Sequence, residues 1–242
     1  MSYADVFKRY EIKFILNPKQ KQMLMNVMKD HMQPDEYGRT TIRNVYYDTP
    51  DYFLIRNSLE KPRYKEKLRV RSYEKVSPDD KVYVEIKNKY DGIVYKRRTA
   101  VKQYQAEEWL AGQTGQPFIS QIADEIEYFR RFHRDLSPAC YLSYEREAYY
   151  SKDGSGMRLT LDENILGRVY DMTLIAGAYG ECVLPSDLTL MELKVSEAIP
   201  LWMIRFLTDN RINKVSFSKY GTFFKNNIRA TRTKIYGGLL YA

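Results

Sequence analysis

At 242 residues, 44% hydrophobic, 29% charged and 14% aromatic, the chain can bury a real core, which excludes a disordered or low-complexity protein and fits one large β-rich domain. A formal charge of +8, from 39 Lys+Arg against 31 Asp+Glu, points to an anionic partner: nucleic acid, a phosphate compound or an acidic membrane surface. Two cysteines, Cys140 and Cys182, are too few for a disulfide framework and lack neighbours at zinc-ligand spacing, so both are expected to be buried, inert thiols.

Period-two alternation opens the chain and predicts a strand over 8–16. Asn17-Pro18 then reads as an N-cap and first-turn proline for a Met-rich helix over 18–31. Strands follow over 40–48, 65–73, 81–89 and 93–102, helices over 103–111 and 121–134, strands over 141–150, 157–163 and 188–196, and a helix over 200–210. Turn signals such as Asp91-Gly92, Asp153-Gly154 and Ser77-Pro78-Asp79 separate neighbouring strands as in antiparallel hairpins. No Pro/Gly-rich linker divides the chain, so residues 1–242 are read as one α+β domain. No stretch reaches the roughly 18 apolar residues of a membrane span and the N-terminus lacks an apolar leader core. The expectation is a cytoplasmic protein, with a membrane-protein partner left open.

The strands split cleanly into faces. Tyr10, Ile12, Phe14 and Leu16 oppose Arg9, Glu11 and Lys13, because successive side chains point to opposite sides of a strand. The same split sets Lys67, Arg69 and Arg71 against Leu68 and Val70, and Glu85, Lys87 and Lys89 against Val82, Val84 and Ile86. Lys96 and Arg98, Tyr144 and Arg146, Arg158 with Thr160 and Asp162, and Glu192 with Lys194 continue it. Antiparallel strands often keep one face in water, but a merely solvated face tends to mix its signs. These faces carry twelve Lys or Arg (9, 13, 67, 69, 71, 87, 89, 96, 98, 146, 158, 194) against four carboxylates (11, 85, 162, 192). Apolar helix faces need apolar strand faces to cover, so the helices are expected outside the sheet. Eight twisted strands can then close into a barrel around one ligand. Many cations in a shared interior need a highly charged ligand or a water-filled channel, and polyphosphate fits: Arg supplies forks for phosphate oxygens and Lys supplies point charges.

At these residues the sequence resembles the VTC domain, the catalytic domain of polyphosphate polymerases, and its bacterial relatives in the triphosphate tunnel metalloenzyme or CYTH-like superfamily. The resemblance spans about residues 5–228. It rests on Phe7-Lys8-Arg9 through Lys13-Phe14, Leu68-Arg69-Val70-Arg71, Glu85-Ile86-Lys87, Tyr144-Glu145-Arg146, Glu192-Leu193-Lys194 and Phe217-Ser218-Lys219-Tyr220, taken in order. It implies an antiparallel eight-stranded tunnel with helices packed outside. Inside, basic side chains would hold the phosphates of ATP and of a polyphosphate, pyrophosphate or triphosphate, and a carboxylate would bind Mn²⁺ or Mg²⁺. Carried over residue by residue, Lys13, Arg69, Arg71, Lys87, Arg146, Arg158 and Lys194 would act on the transferring phosphates. Arg9, Lys96, Arg98, Tyr144, Ser218 and Lys219 would bind substrate, and Glu192 would hold the metal. Two departures stand out: Ser216 replaces a further basic residue, and the hydrolytic branch's opening Glu-x-Glu-x-Lys is here Arg9-x-Glu11-x-Lys13.

That departure favours a polymerase, whose nucleophile is an already anionic phosphate, over a hydrolase, which needs carboxylates to hold metals and orient water. Hydrolysis of triphosphate or nucleoside triphosphates, with Glu11, Glu85 and Glu192 sharing metal, is the second enzyme reading. A non-catalytic module for polyphosphate, inositol phosphates or RNA is the third. Most of the 22 tyrosines sit where strand formers are expected, which weighs against base stacking on RNA and against nucleic acid as the partner. His31 and His133 are expected in surface or capping roles, Asp48 at a strand end and turn, and Glu145 and Glu147 facing solvent or paired at a rim.

Overall fold

The computed structural model describes residues 10–91 and 93–229. Arg9, expected to bind substrate, and Gly92, expected in a turn, lie outside them. In chain order the elements are β1 (Tyr10–Leu16), α1 (Pro18–His31), β2 (Met32–Pro34), β3 (Thr40–Asp48), α2 (Phe53–Leu59), β4 (Tyr64–Tyr73), β5 (Lys81–Tyr90) and β6 (Ile93–Lys102). They continue with α3 (Gln103–Leu110), α4 (Gln121–Phe132), β7 (Ser137–Ser151), β8 (Arg158–Arg168), β9 (Glu181–Cys182), β10 (Thr189–Val195), α5 (Leu201–Asp209), β11 (Lys214–Val215), α6 (Lys219–Phe223) and a π-helical turn, Phe224–Arg229. All eight expected strands are present, and β1 with β10, β10 with β8, β3 with β4, β4 with β5 and β5 with β6 pair antiparallel. Three short strands, β2, β9 and β11, and two short helices, α2 and α6, were not predicted. The class is α+β, as expected.

The chain falls into two compact units. The first holds residues up to 40 with 144–165 and 184–217; the second holds 41–143, 166–183 and the residues from 218 on. In the first, β11, β1, β10, β8 and the later part of β7 pair in that order, with β2 on β7. Its core joins Phe14, Leu16, Leu159, Leu161, Met191 and Leu193 from the strands to Leu24 and Met28 of α1 and Met203 and Phe206 of α5. The Met-rich helix is therefore a core element, as its spacing suggested. It begins at Asn17, whose side chain accepts from the Gln20 amide at 2.8 Å while Gln20 Oε1 accepts from the Asn17 amide at 3.0 Å, a reciprocal cap that satisfies two otherwise open donors.

In the second unit the early part of β7 is followed by β3, β4, β5 and β6. Val70, Val82, Val84 and Ile86 pack there against Leu54 of α2, Trp109 of α3, and Ile126 and Phe129 of α4. Each unit thus covers one sheet face with helices and leaves the Lys/Arg face uncovered by its core, which is the arrangement the alternation predicted. Helix α2 has no side-chain N-cap of its own, Tyr52 standing there at φ 59°. Asp48 serves instead: fully buried, it accepts from the amides of Leu54 at 2.8 Å and Ile55 at 3.0 Å, placing a carboxylate at a helix N-terminus. Cys140 is buried, and burial pushes its thiol up. Cys182 is exposed, contrary to expectation, because β9 is a two-residue strand with both residues open to solvent. Among the described residues no helix is long and apolar enough to cross a membrane.

Candidate phosphate-binding site

Register builds the first unit's cluster. β1 and β10 place Lys13 opposite Glu192 and Glu11 opposite Lys194, while β10 and β8 place Glu192 opposite Thr160 and Lys194 opposite Arg158. Lys13 Nζ lies 2.7 Å from both Glu11 Oε1 and Glu192 Oε1. Arg146 donates a two-pronged pair to Asp162, at 2.6 and 2.7 Å, and its terminal nitrogen is 3.7 Å from Glu192 Oε2. Tyr144, two residues earlier on the same face, has its ring centroid 5.1 Å from the Arg146 guanidinium. Arg158 donates to the Tyr150 hydroxyl at 2.8 Å and lies 4.4 Å over that ring. The Thr160 hydroxyl beside Glu192 is buried without a hydrogen-bond partner among the described residues. A buried polar atom left open in this way suits an absent ligand or water.

The second unit's cluster centres on Glu85, which has no exposed surface. Arg69 holds its Oε2 from Nε at 2.8 Å and from a terminal nitrogen at 2.7 Å, and also donates to the Tyr46 hydroxyl at 3.0 Å. Lys96 Nζ approaches Oε1 at 2.8 Å as an ion pair, although that oxygen lacks a well-aimed hydrogen bond. Burial by itself would push the Glu85 carboxyl up, but Arg69, Arg71 and Lys96 outweigh it and hold it at about 2. Lys96 is pushed down to about 8, first by burial and then by Arg71 and Arg69, with Glu85 opposing. Its side chain keeps 38% of its surface, so water tempers the shift without reversing it. Arg71 donates to Asn44 Oδ1 at 2.9 Å, and Asn44 donates to the Leu142 carbonyl at 3.1 Å.

Beyond Glu85 the face is almost wholly cationic. Lys67, Lys87 and Lys96 stand directly beside one another across β4, β5 and β6, and Lys65 stands beside Lys89 one row further along. Like charges in directly opposed cross-strand positions repel. Lys65 shows the strain: its ammonium is pushed down by burial and then by Lys89, Lys61 and Lys87. Lys67 also donates to Ser218 Oγ at 3.1 Å, and Ser218 caps α6 by accepting from the Gly221 amide at 3.2 Å. Tyr220, two residues along, donates to Asp48 at 2.9 Å and stacks on Tyr46 at 4.9 Å. Asp48 thus organises the support behind Arg69 and Ser218.

Of the residues singled out from sequence, Lys13, Tyr144, Arg146 and Glu192 gather in the first unit, with Lys194 and Arg158 one row away. Arg69, Arg71, Lys87 and Lys96 gather in the second. Ser218 touches Lys67, and Lys219 is the half-buried first residue of α6. Register also separates the neighbours of Lys96: Arg97 pairs with Glu125 at 3.2 Å on the other face, and Arg98 leans on Tyr83 at 4.8 Å. Asn44, Tyr46, Lys67 and Asp162 were missed as site residues. Asn44 and Tyr46 alternate in phase with Asp48 on a predicted strand, a signal that would have found them. His133 caps α4 as expected, but its Nε2 also pairs with Glu66 Oε2 at 3.0 Å, a carboxylate distant in sequence. His31 stacks on Trp202. Glu145 and Glu147 are paired by Arg39.

Among the described residues no group of three or more His, Cys, Asp or Glu is arranged as a complete metal cage. The donor set nevertheless fits a hard divalent cation. Two carboxylates, Glu11 and Glu192, converge on one ammonium position, and an ion of the Mg²⁺ kind is usually held by one or two carboxylates plus substrate phosphates.

The model of the VTC domain family matches residues 8–225. No curated protein matches the sequence. Among solved structures, the chain is similar to a candidate adenylate cyclase from Bacillus halodurans at 15% identity, with a TM-score of 0.54 over 87% of this chain and 95% of that one. It is also similar to a candidate adenylyl cyclase from Hippeastrum, described as having a dominant triphosphatase activity, at 17% identity, with a TM-score of 0.50 over 89% and 94%. At such identities the likeness is one of fold.

Proposed function

The chain belongs to the VTC domain family, and from that premise we propose that it transfers the γ-phosphate of ATP onto the end of a polyphosphate chain and releases ADP. The observation that carries the reading is the pair of lysine rows, Lys67-Lys87-Lys96 and Lys65-Lys89. Five lysines in directly opposed positions make a strip of concentrated positive charge, offset at Lys96 by Glu85, that an extended polyanion would neutralise. Joining phosphate to phosphate demands suppression of repulsion and in-line alignment rather than activation of water. Arg69, held by Glu85 and Tyr46, and Arg71, held by Asn44, are fixed forks for phosphate oxygens. In the same unit Lys219 adds a cation and Ser218 a hydroxyl group; in the first unit Lys13, Arg146, Arg158 and Lys194 are cations, and Tyr144 a hydroxyl group, suited to phosphate. Glu192, with Glu11, would hold Mn²⁺ or Mg²⁺, which when bound neutralises charge on the phosphate oxygens.

A specific observation supports hydrolysis of triphosphate as the second reading: Glu11 and Glu192 share Lys13, and Asp162 and Glu192 share Arg146, so the first unit is less poor in carboxylates than alternation suggested. Glu85 contributes little to it, since Arg69 and Lys96 occupy its oxygens. Incubation with ATP and Mn²⁺ or Mg²⁺, followed by gel staining for polyphosphate, separates the two. Polymer ladders with ADP support transfer; orthophosphate without polymer overturns it.

The Lys96 ammonium makes binding pH-dependent. Near pH 8 a fraction of it is neutral, and a bound phosphate favours the charged form. Tripolyphosphate binding at pH 8 is therefore expected to take up as much as about half a proton at this site, measured by calorimetry in buffers of different ionisation enthalpy. Lys96→Arg, always charged, is expected to remove that uptake, and uptake unchanged in this variant would assign it to another group.

A further inference from the structure

The charged face of the second unit changes its chemistry along the strands. Cross-strand rows run from Lys65 with Lys89, through Lys67, Lys87 and Lys96, to Arg69, Glu85 and Arg98, and then to Arg71 with Tyr83. Tyr73 ends β4 beyond them. Ammonium groups at one end thus give way to guanidinium and phenol groups at the other. There the Arg98 guanidinium lies 4.8 Å from the Tyr83 ring centroid and its NH1 donates to the Tyr73 hydroxyl at 3.4 Å. The two rings meet edge to face at 5.8 Å. This trio stays open to solvent: Arg98 is exposed and Tyr73 is 45% exposed.

A guanidinium stacked on one aromatic ring presents its opposite face as a flat cationic surface, which suits the π-face of a nucleobase. We propose that Arg98, Tyr83 and Tyr73 form a nucleobase platform that takes the adenine of ATP. The triphosphate then runs past Arg69 and Arg71 toward Lys67, Lys87 and Lys96, and the nucleotide is bound in one direction along the strands. This rests on the phosphate-binding reading of the same face. It moves Arg98 from phosphate contact to base contact. Stacking without edge-reading donors tolerates different bases, so GTP is expected to bind about as well as ATP, and UTP, with its smaller ring, more weakly.

The test compares ATP with inorganic tripolyphosphate, which has the phosphates and no base, by calorimetry on the full chain with Mg²⁺. Arg98→Lys keeps the charge and removes the plane; Tyr83→Leu removes the ring beneath it. Each is expected to weaken ATP about tenfold and to leave tripolyphosphate within about twofold. Equal loss for both ligands would make Arg98 a phosphate contact and overturn the platform, as would ATP binding unchanged in both variants. A wild-type chain that binds tripolyphosphate but not ATP overturns the platform and ATP as the donor, and leaves the phosphate-binding reading of the face standing. One that binds neither overturns the phosphate reading as well.

Discussion

Glu192→Gln is expected to lower metal-dependent turnover by a factor on the order of 10²–10³ while leaving the fold intact. Glu192 is the carboxylate on which Lys13 and Arg146 both converge, and its buried neighbour Thr160 has an open hydroxyl. The amide keeps the shape and removes the charge a divalent ion requires. Structural cost stays small, about 1 kcal/mol, because Lys13 retains Glu11 and Arg146 retains its two-pronged pair with Asp162. Two measurements check this together: turnover of ATP, and Mn²⁺ titration in the presence of tripolyphosphate. Loss of turnover with unchanged metal affinity would move the metal elsewhere, and wild-type behaviour in both would remove Glu192 from the site.

Arg69→Met should have the largest effect on stability, a loss of about 3–5 kcal/mol near neutral pH. Without Arg69 the fully buried Glu85 loses its strongest counter-charge and keeps the Lys96 ion pair and the field of Arg71, and Tyr46 loses the donor to its hydroxyl. The pH dependence follows from the sign of the shift. In the wild type the Glu85 carboxyl is lowered to about 2, so its contribution is present in full above its unfolded value and lost as pH falls through about 2. In the variant, burial is less opposed and the carboxyl moves up, so protonation relieves the fault and the gap to wild type narrows toward acid. Urea denaturation between pH 4 and 8 reads both effects. Adding Glu85→Met should recover most of the loss, since an apolar pair replaces a buried carboxylate that has lost its main counter-charge. A gap that stays constant with pH would show that Glu85 is not the group left exposed to the change.

Strand and helix positions were legible because the two periods are local properties. Alternation over 81–89 and the Asn17-Pro18 cap needed no partner to be read. Helix α2 escaped because its N-terminus is closed by Asp48, four residues before Tyr52, and not by a residue at the capping position. The short strands β2, β9 and β11 escaped because two or three residues carry no period; pairing across the chain creates them.

For the site, sequence determined which face is charged and that it is rich in Lys and Arg, since side-chain direction along a strand follows from the backbone alone. Tertiary structure decided which of those cations are already paired. Register made Glu85 the hub for Arg69 and Lys96, gave Arg71 to Asn44, turned Arg97 to the opposite face, and set three lysines abreast across β4, β5 and β6. A count of charges cannot show this, because electrostatic energy depends on distance and burial, and both are set by which strands lie side by side.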